Sequence, residues 1–396
     1  MVQAGPAERI PREIWVLIAS SFLVAVGFGL ITPVLPQFAQ SFGVGATASS
    51  IVISAFAFFR LIGAPAGGRL VTRLGERPVY LTGLLLVAGS TAATGFAQSY
   101  SQLLVYRSLG GIGSTMFTVS ALALIVRLAP AGIRGRVSAT WSSTFLIGAI
   151  LGPVFGGLLG GLGLRVPFLV YAGMLLLAAT VVAVLIPRGA GAPSEAAEVR
   201  PALGAREALR DSAYRAALGS AFANGWASFG VRNAILPLFA VSIISGAPWV
   251  AGTALAVFAA GNAVGLGIAG RLTDRLGRRP FVIVGLLVGG LATALTGWAD
   301  GLALLLMVSL VAGIGTGVLN PAQQASVADV VGRERSGGPA LATFSMAQDA
   351  GAISGPIVAG LLVDHGSYPL AFLVTGAVMV LAAGPWLRAR ETLVSR

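Results

Sequence analysis

Twelve apolar stretches, most of about 20 residues or more and so long enough to cross about 30 Å of hydrocarbon, follow one another along the chain with short polar gaps between them. They run approximately over residues 14–36, 48–68, 79–97, 101–127, 137–160, 166–187, 214–244, 249–270, 281–299, 302–329, 338–363 and 368–387. Such a chain folds in lipid. It folds there as helices, because each span must satisfy its own backbone hydrogen bonds and the alternation of a barrel strand is missing. The composition, 56% hydrophobic and 10% charged, is far from that of a soluble domain.

The chain also repeats itself. Gly68-Arg69-Leu70-Val71-Thr72-Arg73-Leu74-Gly75-Glu76-Arg77-Pro78 returns as Gly270-Arg271-Leu272-Thr273-Asp274-Arg275-Leu276-Gly277-Arg278-Arg279-Pro280, at an offset of 270 − 68 = 202. Gly148 to Pro153 returns as Gly351 to Pro356, at 351 − 148 = 203. Two halves on one plan in a bilayer imply a transporter with its substrate site between them. The expected units are residues 1–187, a first six-helix bundle, a cytoplasmic linker at 188–212, and residues 213–396, a second bundle. The linker carries Pro193 and Pro201 with four arginines and four acids, and Leu203 to Asp211 is expected to form a short surface helix.

All 26 basic residues are arginine, against 14 Asp and Glu. They sit at span ends rather than on one basic face, which argues against nucleic acid as a partner. With the N-terminus inside, the inner loops hold Arg73 and Arg77, Arg134 and Arg136, Arg275, Arg278 and Arg279, and Arg333 and Arg335, while the outer loops hold Arg165. That asymmetry places both termini in the cytoplasm. The first span is too long for a signal-peptide core, so the N-terminus is expected to be retained. With no cysteine and His365 as the single histidine, thiol chemistry, disulfides and a histidine-rich metal centre are excluded. No G-x-x-x-x-G-K-[ST] loop is present, which disfavours drive by ATP within this chain. An all-arginine basic set with abundant Ala and Gly suggests a GC-rich bacterial source.

The two eleven-residue segments resemble the loop motif of the major facilitator superfamily, G-x-L-x-D-R-x-G-R-[KR]. The second copy matches it nearly completely. The first has Thr72 where the family has Asp and Glu76 where it usually has a basic residue. Gly148, Gly152, Pro153, Gly156 and Gly157 resemble the G-x-x-x-G-P-x-x-G-G motif of the antiporter branches, drug:proton antiporters among them. Arg107 with Gly111 and Gly113 is similar to the family's R-x-x-x-G-x-G signature, and Gly27 to Pro36 resembles the first-span motif of the drug exporters. The resemblance covers about residues 12 to 390. It implies an all-α fold of twelve transmembrane helices in two pseudo-symmetric bundles, a monomer, and gating by Gly68, Arg73, Gly75 and Arg77 in one half and Gly270, Asp274, Arg275, Gly277, Arg278 and Arg279 in the other.

The residues support part of this independently. Gly148, Gly152, Gly156 and Gly160 recur every four positions and leave a smooth helix face, and Pro153 permits a bend. Repeated at Gly351, Gly355, Pro356 and Gly360, they form a bending seam between spans. An ionisable group near mid-bilayer costs at least ~2.5–3.5 kcal/mol and marks a pathway or a partner. Four qualify: Arg60, Arg107, Arg232 and Asp349. Asp349 is the one acid deep within a span and is the candidate proton carrier; a structural ion pair or a bond to Gln348 or Ser345 is the alternative. Asn224, Ser228 and Arg232 share a helical face, as do Asn320, Gln323 and Gln324, and Ser345, Gln348 and Asp349. With Asn233 and Asn262, which is the repeat partner of Arg60, they are expected to line a central cavity in contact with substrate and lipid. Three arginines against one aspartate favour an anionic or amphiphilic small molecule.

The reading is a secondary transporter, not an enzyme, in the inner membrane of a bacterium. It needs no cofactor beyond a proton gradient and exports small organic or amphiphilic compounds. The alternative is a transporter or flippase of an anionic metabolite or lipid, with the arginines as a head-group clamp.

Overall fold

The computed structural model describes residues 10–129, 133–187, 203–332 and 338–393. They form twelve helices long and apolar enough to cross a membrane, with no strand among the described residues. These are α1 (Arg12–Ile31), α2 (Ala46–Leu74), α3 (Glu76–Gly95), α4 (Tyr100–Leu128), α5 (Arg134–Gly160) and α6 (Val166–Leu185) in the first half. The second half contributes α7 (Ser212–Ile244), α8 (Pro248–Leu276), α9 (Arg279–Thr296), α10 (Leu302–Val331), α11 (Gly338–His365) and α12 (Tyr368–Arg388). Arg333 and Arg335, with Pro193 and Pro201 of the linker, lie outside the described residues.

Local chemistry sets the helix ends. Ser99 and Ser367 cap α4 and α12 by accepting the amides of Gln102 and Leu370, and Asp211 caps α7 by accepting that of Ala213. Proline stands in the first turn of α6, α8, α9 and α12, where its missing N–H costs nothing. The repeated motif is mostly helix: Gly68 to Leu74 and Gly270 to Leu276 are the last two turns of α2 and α8. The chain reverses only at Gly75 (φ 84°) and Gly277 (φ 100°), in the left-handed region that side chains avoid.

Three further features differ from the sequence reading. The first span ends at Ile31, because Pro33 interrupts it; Thr32 to Val34 form a turn, and a short helix, Leu35–Gln40, follows. The linker helix is a single turn, Ala205–Ala208. Within α7 the segments Gly225–Val231 and Ala240–Ile244 are π-helical, with a wider turn that hydrophobicity alone does not signal.

Packing repeats with the sequence. α1 packs on α5 and α6, α2 and α3 on α4, and α3 on α6; correspondingly α7 packs on α11 and α12, α8 and α9 on α10, and α9 on α12. The two largest contacts between the halves, α2 on α11 and α5 on α8, are repeat images of each other, and α7 adds a smaller contact with α2 and the short helix Leu35–Gln40. Burial along these helices is graded. Val52 and Ala254 are buried at the end that holds Gly45, whereas Ile62, Leu74, Ile268, Leu276 and Leu341 are exposed toward the end that holds Gly75. The halves therefore meet on the Gly45 side and part toward the Gly75 side.

Candidate functional site

The contact between halves on the Gly45 side rests on glycine. Gly148, Gly152 and Gly156 of α5 face α1, where any side chain would strike Ala25, Gly29 or Leu30. Gly157, one step round the helix, faces the other half: a Cβ there would stand 2.8 Å from Trp249 Cα. In α11, Gly351 and Gly355 lie on the backbone of Phe222 and Trp226 of α7, and Gly360, the repeat partner of Gly157, lies 2.7 Å by the same measure from Thr47 Cα of α2. The seam thus holds α5 and α11 to their own halves on one face and to the opposite half on the next. Pro153 and Pro356 lie inside the two helices.

Asp364, near the end of α11, accepts the amides of Ala46 and Thr47 at 2.8 Å each. It therefore caps the first turn of α2 from the other half, satisfying donors that no intrahelical carbonyl can reach. Ser54 donates to the Ile353 carbonyl at 2.8 Å across the same seam. One helical turn and a half further on, Arg60 Nη2 meets Asp349 Oδ1 at 2.5 Å. Arg60 is 45% exposed and Asp349 17%, so the pair borders the cleft without being sealed from it. The sequence marks both residues but does not join them, and it leaves Asp364 unmarked. A carboxylate at a span end reads as a loop charge until its partner is seen.

The other two intramembrane arginines are buried and not in the cleft. Arg107, 4% exposed, lies over the ring of Phe56, 4.5 Å from its centroid, and Arg232, 5% exposed, lies over that of Phe258 at 3.8 Å. Phe56 and Phe258 are repeat partners (258 − 56 = 202), yet the guanidinium comes from α4 in one half and α7 in the other. Arg232 also donates to Thr293 Oγ1 at 3.3 Å. Neither arginine makes an ion pair with a carboxylate among the described residues, and cation–π contact is what offsets their desolvation.

The expected polar lining divides in the same way. Asn224 and Gln323 are buried, not open to a cavity, because both amides turn to Asn320: Asn224 Nδ2 donates to Asn320 Oδ1 at 2.9 Å and Gln323 Nε2 at 3.2 Å. Asn233 donates to the Phe229 carbonyl of its own helix at 3.0 Å, and Asn262 is half-buried on α8. Gln324 and Gln348 do face open space. With Leu341, Phe344 and Ser345 they line a recess of about 590 Å³ between α10 and α11. A second recess of about 360 Å³, between α1 and α5, is lined by Trp15, Phe22, Thr140, Thr144 and Ile147. Both walls are amphiphilic, and neither carries a carboxylate.

At the Gly75 side Arg77, Arg278 and Arg279 of the motif are held. Arg77 donates to the carbonyls of Ile186 and Ala183 at 2.9 and 2.8 Å, and its repeat partner Arg279 donates to that of Leu387 at 2.6 Å. Each thereby occupies the carbonyls that end a neighbouring helix. Arg73 and Arg275 are exposed. Asp274 pairs with Arg278 within its own segment. The departure at Glu76 is compensated: Glu76 pairs with Arg127 at 2.9 Å, while at the same two repeat positions Arg278 pairs with Asp329 at 3.3 Å. The polarity is reversed and the bridge is kept.

Comparison with known proteins agrees with this architecture. The family model of the Major Facilitator Superfamily matches residues 17–249 and 218–394. The chain is 24% identical over 382 residues to Multidrug resistance protein 2 of Bacillus subtilis, covering 94% of each. It is 29% identical over 175 residues, 44% of this chain and 45% of the relative, to the Quinolone resistance protein NorA of Staphylococcus aureus. The crystal structure of a bacterial homologue of the human lysosomal transporter Spinster, in an inward-facing and unoccupied conformation, superposes with a TM-score of 0.78 at 17% identity, covering 96% of this chain and 97% of that one. Twelve apolar helices in two repeated bundles, joined by a glycine seam and matched by the family model along nearly their whole length, make this chain a membrane-spanning transporter that belongs to the Major Facilitator Superfamily.

Proposed function

We propose that the protein exports small amphiphilic compounds by alternating access, in exchange for protons, with the Gly75 side in the cytoplasm. The observation that carries the reading is the Arg60–Asp349 pair, which joins the halves where the seam gives way to the cleft. With the Gly45 side open and the pair with Arg60 broken, Asp349 takes a proton from that side; return to the arrangement open on the Gly75 side releases the proton to the cytoplasm and re-forms the pair, so protons enter as substrate leaves. The kinship with multidrug resistance proteins supports export. The arginine distribution supports the orientation. Rocking of residues 1–187 against 213–396 about the linker is the motion implied by two bundles that meet through glycine on one side only.

The recesses on α1 with α5 and on α10 with α11 offer amides, hydroxyls and aromatic or aliphatic surface. They suit a substrate with an apolar body and a hydrogen-bonding head. The head-group clamp is less well supported, since Arg107 and Arg232 are buried away from the cleft. The test is proton movement in sealed vesicles holding purified protein and a pH dye, with cationic, neutral and anionic amphiphiles added in turn. Substrate-evoked proton flux that disappears in Asp349→Asn is the expected result. Substrate movement with no proton flux would overturn the coupling and favour a uniporter or flippase.

A further inference from the structure

The segment that follows α12 returns to the second motif turn. Glu391 Oε1 accepts the amide of Arg278 at 2.8 Å and Oε2 that of Arg279 at 3.1 Å, and Oε1 also accepts the amides of Thr392 and Leu393 at 3.0 and 3.1 Å. Gly277 makes this approach possible, since a Cβ there would stand 2.6 Å from Glu391 Oε2. Thr392 donates to Asp329 Oδ2 at 3.1 Å, the same oxygen that Arg278 Nε reaches. Arg390 donates to Asp211 Oδ2 at 2.9 Å and to Ser212 Oγ through its amide at 3.1 Å, where the linker enters α7. Four elements of one half, the start of α7, the α8–α9 turn, the end of α10 and the segment after α12, are thus tied at one end of the bundle.

We propose that Glu391 is a positioning residue for transport: by holding the backbone of Arg278 it keeps that arginine on Asp274 and Asp329 of its own half and so favours the arrangement open on the Gly75 side. The device belongs to the second half alone. The first half keeps the Arg77 contacts and the Glu76–Arg127 bridge, but the residue at the repeat position of Glu391 is Gly189, which has no carboxylate. Closing the Gly75 side brings the first motif turn against the second. Arg278 can take a partner across that boundary only by leaving the ones that Glu391 aligns. A cap of the turn alone would hold it equally in both arrangements; this one acts through Arg278, which pairs with Asp274 and Asp329 of its own half, so it favours one arrangement over the other.

The inference rests on the alternating-access reading, and the test separates the two. The chain has no cysteine, so Leu74→Cys and Leu276→Cys, exposed and repeat-related on the Gly75 side, take spin labels in the full-length protein without background. Distances between them are measured with and without a transported compound, alongside hydrogen exchange at the Arg278 and Arg279 amides. In Glu391→Gln the exchange should quicken on the order of tenfold, and the distance distribution should move toward the short, closed population; Glu391→Asp, which keeps the charge, should hold closer to the parent. Thr392→Ala, which leaves the carboxylate in place, should shift the distribution less. Faster exchange with unchanged distances and unchanged transport in Glu391→Gln would reduce the residue to a local cap and overturn the proposal. So would unchanged exchange. A parent protein with one distance under every condition would overturn alternating access, and the bias with it.

Discussion

Arg60 of α2 and Asp349 of α11 are separated by 289 residues and meet at 2.5 Å, so an ion pair ties the two halves midway along their helices. Removing one partner strands the other. The cost is below the ~3–5 kcal/mol of a fully buried pair, because Arg60 is reached by solvent from the cleft. Asp349→Asn should abolish the pH dependence of transport in vesicles. The exchange Arg60→Asp with Asp349→Arg should restore assembly and surface expression that the single changes lower, and should leave coupling impaired. Unaltered pH dependence in Asp349→Asn would remove the proton role.

The reversed bridges, Glu76 with Arg127 and Arg278 with Asp329, predict a charge-exchange result. Glu76→Arg alone sets two arginines together and should lower thermal stability. Glu76→Arg with Arg127→Asp reproduces the polarity of the second half and should recover most of the loss. The coupling energy in a double-mutant cycle should be about 0.5–1 kcal/mol, since Arg127 is a third exposed.

Gly157 and Gly360 carry the seam between halves on backbone contact. Gly157→Val or Gly360→Val leaves no side chain that could yield, so the Gly45 side should stay apart. A cysteine placed at Ser49, fully buried in the parent, should then react with a membrane-impermeant maleimide on the order of tenfold faster or more. An unchanged rate would show that the seam closes by another contact.

Asp364 holds the first turn of α2 from the opposite half. Asp364→Ala removes a cap worth about 1 kcal/mol and should raise the population open on the Gly45 side about fivefold. The Ser49 cysteine reads this change as well. Asp364→Asn, which keeps an acceptor, should have a smaller effect.

Glu391 and Asp211 set the acid limit of the clamp after α12. Burial pushes both carboxyls up. For Asp211 the Arg390 guanidinium and the Ala213 amide outweigh it, and for Glu391 the four backbone amides do, so both end below the usual carboxylate range. Depressed values mean that their contribution is fully present above about pH 4 and is lost as the pH falls through the lowered values. The charged groups around them, Arg278, Asp274, Asp329 and Arg390, are paired. Protection of the Arg278 and Arg279 amides, corrected for intrinsic exchange, should be flat from pH 8 to 5 and fall below about 4. Loss of protection near pH 6 would contradict this assignment.

Hydrophobic run length made the twelve spans legible in the sequence, and the repeat made the paired glycine positions legible. Each of these depends on neighbours within a few turns or on a copy of the same segment, so composition and spacing carry it. The turns at Gly75 and Gly277 fall on motif glycines, but the helical form of the preceding motif residues was not legible, since their charges end the apolar run that marks a span. Burial separated the four intramembrane charges in a way that spacing could not. Arg60 and Asp349 neutralise each other, whereas Arg107 and Arg232 are carried on phenyl rings at equivalent positions by non-equivalent helices. The Asn224–Asn320–Gln323 cluster turned inward because the Asn320 side-chain oxygen accepts from both of the other amides. Asp364 and Glu391 acquired their roles only through packing. A carboxylate's partners here are backbone amides, present at nearly every residue, so only the tertiary fold decides which of them it reaches.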